Sequence, residues 1–302
     1  METIEAIKIE TYSRDPAVKG VIAVTADNPF TPLADGFDLL LLIVTDGENG
    51  RHHNIHYIKD STSIQERWVS EEGLQQWILS GDNRSIIQWV LQGQIRFDRD
   101  GCLQAVRERL VAFPEELRQQ KLLMEFSFFL RTYFQAKTYM KEGQTLDAYA
   151  NILEALTHWA RIAIIETGRH PEVMVWQQLR KINPGIYKLF EELTESVETV
   201  KQRVELVLLA CEFHLISKMQ DCCKLLLNIL SSREEPFSPS ELMQHELIRP
   251  LHLDLAIVLK KMAKRGLIRE VHVLREGVDR IDAVEVRYTA SRAVSMQGDE
   301  SR

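Results

Sequence analysis

The sequence predicts a multidomain α+β protein with a mixed sheet and helices first, an α-helical bundle next, and a small domain of helices and strands last. Short apolar, β-branched runs dominate the first third of the chain, and a period of 3.6 residues dominates the middle third. A chain of 302 residues is long enough for two or three hydrophobic cores. The predicted domains are 1–113, 114–218 and 219–294, followed by a disordered tail over 295–302.

Composition narrows the class of protein. Hydrophobic residues make up 45% of the chain and charged residues 27%, which is typical of globular proteins. The net charge of −7 argues against a protein that coats nucleic acid along its whole length. The four cysteines have no CxxC spacing, so they indicate neither a disulfide framework nor a zinc site. Because no apolar run is long enough to cross a bilayer and no secretion signal opens the chain, we expect a cytoplasmic protein without membrane contact.

The first third carries five predicted strands. The continuous apolar run Phe37–Val44 is typical of a central strand that is buried on both faces. Two runs separated by a short polar turn read as a hairpin, and Ser70, followed by two glutamates, is a good helix N-cap. A second short helix is predicted around 85–91. The other strands are Gly20–Ala26, His53–Lys59, Ile64–Val69 and Ile95–Phe97.

The middle third reads as a helical bundle. Apolar side chains recur on one face of each of three long segments, and such wide stripes are usually core. Gly143 and Gly168 end two of these helices, and Asn183–Gly185 is a clear break. The first stripe consists of Leu122, Phe126, Phe129, Leu130, Tyr133 and Met140.

The last third has the element order of a winged helix: three helices and then a hairpin. Ser238 can cap the second helix with Pro239 in its first position, and Gly266 stops the third. In winged helices the third helix is the candidate for a DNA major groove. The other predicted elements are a helix over Cys222–Leu230, a helix over Asp254–Arg265, and strands over Ile268–Arg275 and Ala283–Tyr288.

Asp38 begins the predicted buried strand, a position that suits metal-dependent phosphoryl chemistry. Carboxylates on adjacent strands can hold two divalent ions that bridge a triphosphate and help to activate a hydroxyl. The protein then mainly positions groups and stabilises charge. Asp38 is therefore the first candidate for a catalytic residue.

The surroundings of Asp38 resemble the nucleotidyltransferases of the kanamycin nucleotidyltransferase-like type. That family carries Gly-Ser at the end of one strand and Asp-x-Asp at the start of the next, and these motifs fall on Val24–Thr25 and Gly36–Asp38. The family's third metal carboxylate falls on Glu66, ahead of the helix start at Ser70. The resemblance covers residues 15–113 and is closest to uncharacterised bacterial nucleotidyltransferase-like proteins with a C-terminal winged helix.

The resemblance implies a site for an NTP and Mg²⁺. Asp38 and Glu66 would be the catalytic, metal-binding carboxylates, and Thr25 would contact the nucleotide phosphates. Asp35 is a further candidate nucleotide contact, because it precedes Gly36 directly and could lie in the loop. The bundle would present a hydroxyl acceptor for the transferred NMP, and family enzymes often complete the site across a homodimer.

Two departures put this activity in doubt. Gly36 replaces the first metal carboxylate, and Val24 replaces the glycine that lets phosphates approach the backbone. A site that has lost one of three ligands typically holds magnesium weakly. We expect a degenerate, pseudoenzyme-like domain that binds a nucleotide or only supports the fold, with weak NMP transfer as the remaining enzymatic interpretation.

Three further clusters each have a functional and a purely structural interpretation. His52, His53 and His56 with Glu66 could form a metal site, but exposed strand histidines are the favoured interpretation. His158, Arg161 and Glu166 are candidates for a substrate role in the bundle, against a role as solvated helix residues. The candidate DNA-binding residues are Lys260, Lys261, Lys264 and Arg265, although cations at a helix C-terminus also complement its dipole.

The sequence thus leaves two functions open. One is a nucleotidyltransferase with a degenerate motif, binding a nucleotide and Mg²⁺. The other is a non-catalytic regulator or interaction protein whose winged helix binds DNA or a protein partner.

Overall fold

The structure, a computed structural model, describes residues 9–25, 36–47, 54–80, 85–274 and 284–291. The chain divides into two compact units, Met1–Pro114 and Glu115–Arg302. The predicted α+β class is confirmed, with a mixed sheet in the first unit and helices with a small sheet in the second. The further division at residue 218 stays a prediction.

The first unit is organised around a five-stranded mixed sheet with the strand order β3-β4-β2-β1-β5. The β2–β4 pair is parallel and the other pairs are antiparallel. Every residue of β2 is buried, as the continuous apolar run predicts for a central strand. The strands are β1 (Val18–Thr25), β2 (Leu39–Thr45), β3 (Asn54–Lys59), β4 (Thr62–Ser70) and β5 (Gln94–Asp98).

The hairpin predicted between β3 and β4 is present. Asp60 and Ser61 connect the strands and have φ values of 48° and 65°. Two consecutive residues with positive φ are typical of the tight turn whose twist matches antiparallel strands. The register that follows pairs Tyr57 with Ile64 and Ile55 with Glu66.

Four helical segments accompany the described part of this sheet. Ser70 caps α2 as predicted, because its Oγ accepts the N–H of Gly73 at 3.0 Å. The helix over 102–112 was not predicted from the sequence. It begins after Gly101, and the carboxylate of Asp98 accepts two of its first backbone N–H groups. The segments are α1 (residues 9–14), α2 (Glu71–Ser80), α3 (Ile86–Gln92) and α4 (Cys102–Ala112).

The second unit begins with the predicted bundle. The apolar stripe of its first helix is core, since Phe126, Phe129 and Tyr133 are almost fully buried. Asn183 caps the fourth bundle helix by accepting the N–H of Ile186. The helices are α5 (Glu115–Lys141), α6 (Thr145–Glu166), α7 (Val175–Ile182), α8 (Pro184–Glu195) and α9 (Val200–Cys222).

The end of the second unit has the element order predicted for a winged helix. Phe237, between the first two helices, forms a bridge with Tyr288 in the hairpin, and Ser238 and Glu241 form a reciprocal capping box. The elements are α10 (Lys224–Leu230), α11 (Pro239–Gln244), α12 (Leu255–Lys264), β6 (Ile268–Leu274) and β7 (Val284–Ala290).

Among the residues that the structure describes, no helix combines the length and the apolar character needed to span a membrane.

Candidate functional site

The motif positions Val24–Thr25 and Gly36 lie at one end of β1 and β2. Val24 is buried, whereas Thr25 is exposed and pairs with Leu39. Gly36 has φ = 87°, a conformation that glycine adopts freely and that strains residues with a Cβ. The backbone at the first motif position is therefore shaped for glycine rather than for a metal-binding carboxylate. Asp35, the other predicted nucleotide contact, lies outside the described residues.

The carboxylate of Asp38 is bound to Ser63 at the start of β4. Its Oδ2 accepts the backbone N–H of Ser63 at 2.8 Å and the hydroxyl at 2.7 Å, while the Asp38 N–H donates to the Ser63 carbonyl at 3.1 Å. These bonds favour the ionised form and lower the pKa of Asp38 below its ordinary value. Asp38 thus ties together the starts of the two parallel strands.

Glu66 is buried in the middle of β4 and accepts three side-chain hydrogen bonds. Its Oε1 accepts the hydroxyls of Tyr12 at 2.5 Å and Tyr57 at 2.7 Å, and its Oε2 accepts the indole N–H of Trp68 at 3.3 Å. Burial, together with the hydrogen bond to this carboxylate, raises the pKa of both tyrosines well above the ordinary value. Glu66 is therefore held by an internal network.

Asp38 and Glu66 are not brought together. Side chains alternate along a strand, so Ser63 and Glu66 lie on opposite faces of β4, and Asp38 binds Ser63. Glu66 shares its face with Ile64 and Leu41, which belong to the core beneath α1. A metal ion that binds both carboxylates does not fit this arrangement.

The alternative metal site, formed by histidines with Glu66, also needs side chains on one face of the sheet. His56 pairs with Gln65, to which it is hydrogen-bonded at 3.1 Å, and so it faces away from Glu66. His52 and His53 lie outside the described residues. No group of three or more His, Cys, Asp or Glu side chains in the described ranges could hold a metal ion.

Tyr12 and Tyr57 were not among the sequence-predicted site residues. A two-residue turn at 60–61 places Tyr57 on the face of Glu66, so the hairpin register offered a signal for this contact. Tyr12 offered none, because it is 54 residues away from Glu66 in the chain.

The bundle contains a buried charged cluster around Glu125. His158 Nδ1 lies 2.6 Å from Glu125 Oε2, and Arg161 lies 3.6 Å from the same atom. Burial lowers the pKa of the nearby Lys121 to about 8. Burial alone would raise the pKa of Glu125, but the hydrogen bond to His158 and the surrounding cations outweigh it and lower that pKa. Two of the three candidates for a substrate role, His158 and Arg161, are thus engaged with Glu125 inside the bundle rather than solvated.

The third candidate, Glu166, is separate from this cluster. Its carboxylate pairs with Lys218 of α9 at 2.8 Å. The structure therefore places the three residues in two separate groups of charged side chains.

The four predicted DNA-binding cations lie at the C-terminal end of α12. Lys260 and Lys264 are exposed, and Arg265 caps the helix. The ammonium of Lys261 lies 3.7 Å from the centre of the Phe134 ring in α5, a cation–π contact within the second unit. Part of the predicted DNA-binding surface therefore faces the bundle.

Comparisons with known proteins agree with the fold. Residues 1–118 match the family model described as nucleotidyltransferase-like, and residues 119–218 match the model of the YgxA-like substrate binding domain. The uncharacterized protein YgxA of Bacillus subtilis (strain 168) is 33% identical over 262 residues, which cover 87% of this chain and 89% of that protein.

A solved structure extends the likeness to nearly the whole chain. The crystal structure of a nucleotidyltransferase-like protein from Exiguobacterium sibiricum 255-15 superposes with a TM-score of 0.81 at 31% identity, and covers 96% of this chain and 98% of that one. The resemblance inferred from the motifs is thereby confirmed. The chain belongs to the family of nucleotidyltransferase-like proteins that includes YgxA.

Proposed function

We propose that this chain is a non-catalytic member of its family. It is a regulator or interaction protein, in which the nucleotidyltransferase-like unit no longer transfers nucleotides. The observation that carries the proposal is the position of Glu66. Its carboxylate faces the core, on the opposite face of the sheet from Ser63 and Asp38, and accepts hydrogen bonds from Tyr12 and Tyr57.

The chemistry requires a different arrangement. Two-metal phosphoryl transfer needs carboxylates that converge on one side of the sheet, where they hold ions against the triphosphate. Here the first position is Gly36 with a positive φ, the second carboxylate binds Ser63, and the third is on the opposite face. Mg²⁺ would bind through oxygen ligands in octahedral geometry, and the described carboxylates do not provide such a set.

Recruiting Glu66 as a metal ligand would also be costly. It would break the hydrogen bond from the Tyr12 hydroxyl, and Tyr12 is only 6% exposed. A hydrogen bond to a charged group contributes about 1.5–3 kcal/mol, which would be lost. Moving the carboxylate to the other face would further require a change in the pairing of β4 with both of its neighbours.

The test combines calorimetry with a transfer assay. ATP, GTP, CTP and UTP are each titrated into the protein with and without Mg²⁺, and labelled NTPs are incubated with a panel of hydroxyl acceptors. Wild type and Asp38→Ala serve as the matched pair. We expect no NMP product, and no nucleotide heat that depends on both Mg²⁺ and Asp38.

One outcome would overturn the proposal. If Mg²⁺-dependent nucleotide binding is present in wild type and lost in Asp38→Ala, together with a labelled product, the enzymatic interpretation is correct.

A further inference from the structure

A basic groove of about 390 Å³ lies within the second unit, where α5, α9 and α12 meet. Helix α5 contributes two aromatic rings and a lysine, α9 a carboxylate and a leucine, and the end of α12 three cations. The lining residues are Tyr133, Phe134, Lys137, Glu212, Leu215, Lys261, Lys264 and Arg265.

The charges of this groove do not balance. Four of the lining side chains are cationic and one is a carboxylate, which leaves three positive charges in excess. Glu212 is already bound by Lys137, at 3.2 and 3.3 Å from its two oxygens. In the part of the chain that the structure describes, Lys261, Lys264 and Arg265 form no ion pair.

The groove holds its cations at a partly apolar wall. The Lys261 ammonium lies over the Phe134 ring at 3.7 Å, and Leu215 and Tyr133 line the same space. Burial, with the neighbouring Lys264, Lys137 and Arg265, lowers the pKa of Lys261, as expected where positive charge is not neutralised. An anion beside these groups would interact more strongly than on an open surface, because less water screens the charges.

We propose that this groove binds a small polyanion that carries phosphate groups. Arginine offers a planar fork of N–H donors that matches phosphate oxygens, and lysines add point charges around it. The volume lies within the range of small-molecule pockets. The groove residues belong to the second unit and Asp38 to the first, and the inference does not depend on the function proposed above.

The residue pattern favours a small ligand over a DNA duplex. A duplex read by α12 would depend on Lys260, which is exposed on that helix but does not line the groove. A small phosphate ligand would depend on Lys264 and Arg265 and leave Lys260 unused. Lys260→Ala is therefore the control for Lys261→Met, because each removes one positive charge from the same helix and only Lys261 lines the groove.

The experiment titrates inorganic tripolyphosphate, and separately ATP in EDTA, into the full chain by calorimetry at constant ionic strength. The variants are Lys264→Ala/Arg265→Ala, Lys261→Met and Lys260→Ala, each checked for folding by circular dichroism. We expect wild type and Lys260→Ala to bind alike, and the double variant to bind at least tenfold more weakly. Lys261→Met, which keeps the apolar stem over Phe134, should also weaken binding.

Three results would overturn the inference. The first is the absence of tripolyphosphate binding to wild type. The second is an equal loss in Lys260→Ala, which would indicate diffuse surface charge. The third is a short DNA duplex that binds more tightly than tripolyphosphate and needs Lys260. Adding Asp38→Ala keeps the two proposals apart, since it should leave binding in this groove unchanged.

Discussion

Replacing Glu66 separates its structural role from a role as a metal ligand. In Glu66→Gln the two tyrosine hydroxyls keep an oxygen acceptor but lose its charge. Hydrogen bonds to charged groups contribute about 1.5–3 kcal/mol and neutral ones about 0.5–1.5, so the two bonds together should lose about 2–3 kcal/mol. The new amide N–H₂ also faces the indole N–H of Trp68, where neither group can accept.

Glu66→Ala should be more severe. It leaves the buried Tyr12 hydroxyl without this acceptor and opens a cavity beside Ile64 and Leu41. The expected loss in the free energy of unfolding of the first unit is about 3–5 kcal/mol.

Hydrogen exchange of the β2 and β4 peptides, measured across a urea series, reports the stability of this unit alone. The control is Glu108→Gln, the same chemical change at an exposed position of the same unit, with an expected effect within about 0.5 kcal/mol. If Glu66→Gln and Glu66→Ala match that control, the carboxylate does not hold the core and the reasoning fails.

The same network predicts how the first unit responds to alkali. The pKa of Tyr12 and Tyr57 is raised in the folded protein, so both stay neutral there after the unfolded chain begins to ionise. The stabilisation is complete below about pH 10, the ordinary tyrosine value, and is lost as the pH rises beyond it. Urea titrations from pH 8 to 11 should therefore show a steeper loss in wild type than in a Tyr12→Phe/Tyr57→Phe variant; equal slopes would contradict the assignment.

Three further predictions concern single positions. Gly36→Asp restores a carboxylate at the first motif position, yet it should give no Mg²⁺-dependent nucleotide binding in calorimetry. Because φ is +87° at this position, the variant should also destabilise the first unit by about 1 kcal/mol, measured by urea unfolding. A gain of nucleotide binding would refute the prediction. Asp38→Asn weakens the acceptor for the Ser63 backbone N–H, so exchange of that amide should accelerate while amides in α4 are unchanged; an unaltered rate would mean that the bond seen here is unimportant. His214 is stacked on Trp159 with centroids 4.3 Å apart, and burial lowers its pKa to about 3. The neutral ring contributes stability above the unfolded-state pKa of about 6.5, and this stability is lost as the pH falls toward 3. In His214→Phe the free energy of unfolding of the second unit should therefore fall less steeply between pH 6.5 and 3. An identical slope in the variant would contradict this.

The central strand shows what could be predicted from the sequence. Six consecutive apolar residues from Leu39 to Val44 have few alternatives to a strand buried on both faces, and the structure buries all of them. The helix N-caps at Ser70 and Ser238 were also predictable, because the residues that form a cap lie within four adjacent positions of the sequence.

The elements that escaped prediction depend on contacts between distant residues or on unusual caps. Helix α4 has Gly101 at its N-cap and is capped instead by Asp98, three residues earlier, so the usual start signal is absent. The face on which the Glu66 side chain lies follows from the hairpin register, and its hydrogen bonding also depends on Tyr12. Only the hairpin register can be inferred from neighbouring residues in the sequence. The groove at the end of α12 brings together residues from three helices, and no spacing rule joins them.

The face on which Glu66 lies also limits where a further metal-binding carboxylate could be added beside Asp38. A one-residue slip of β4 would carry Glu66 to the Asp38 side, but it would turn Ile64 out of the core at the same time, so evolution or design cannot simply reverse its orientation. Gln65 already faces the side of Ser63 and Asp38, in register with Leu40. A second carboxylate for an engineered metal site beside Asp38 therefore belongs at position 65.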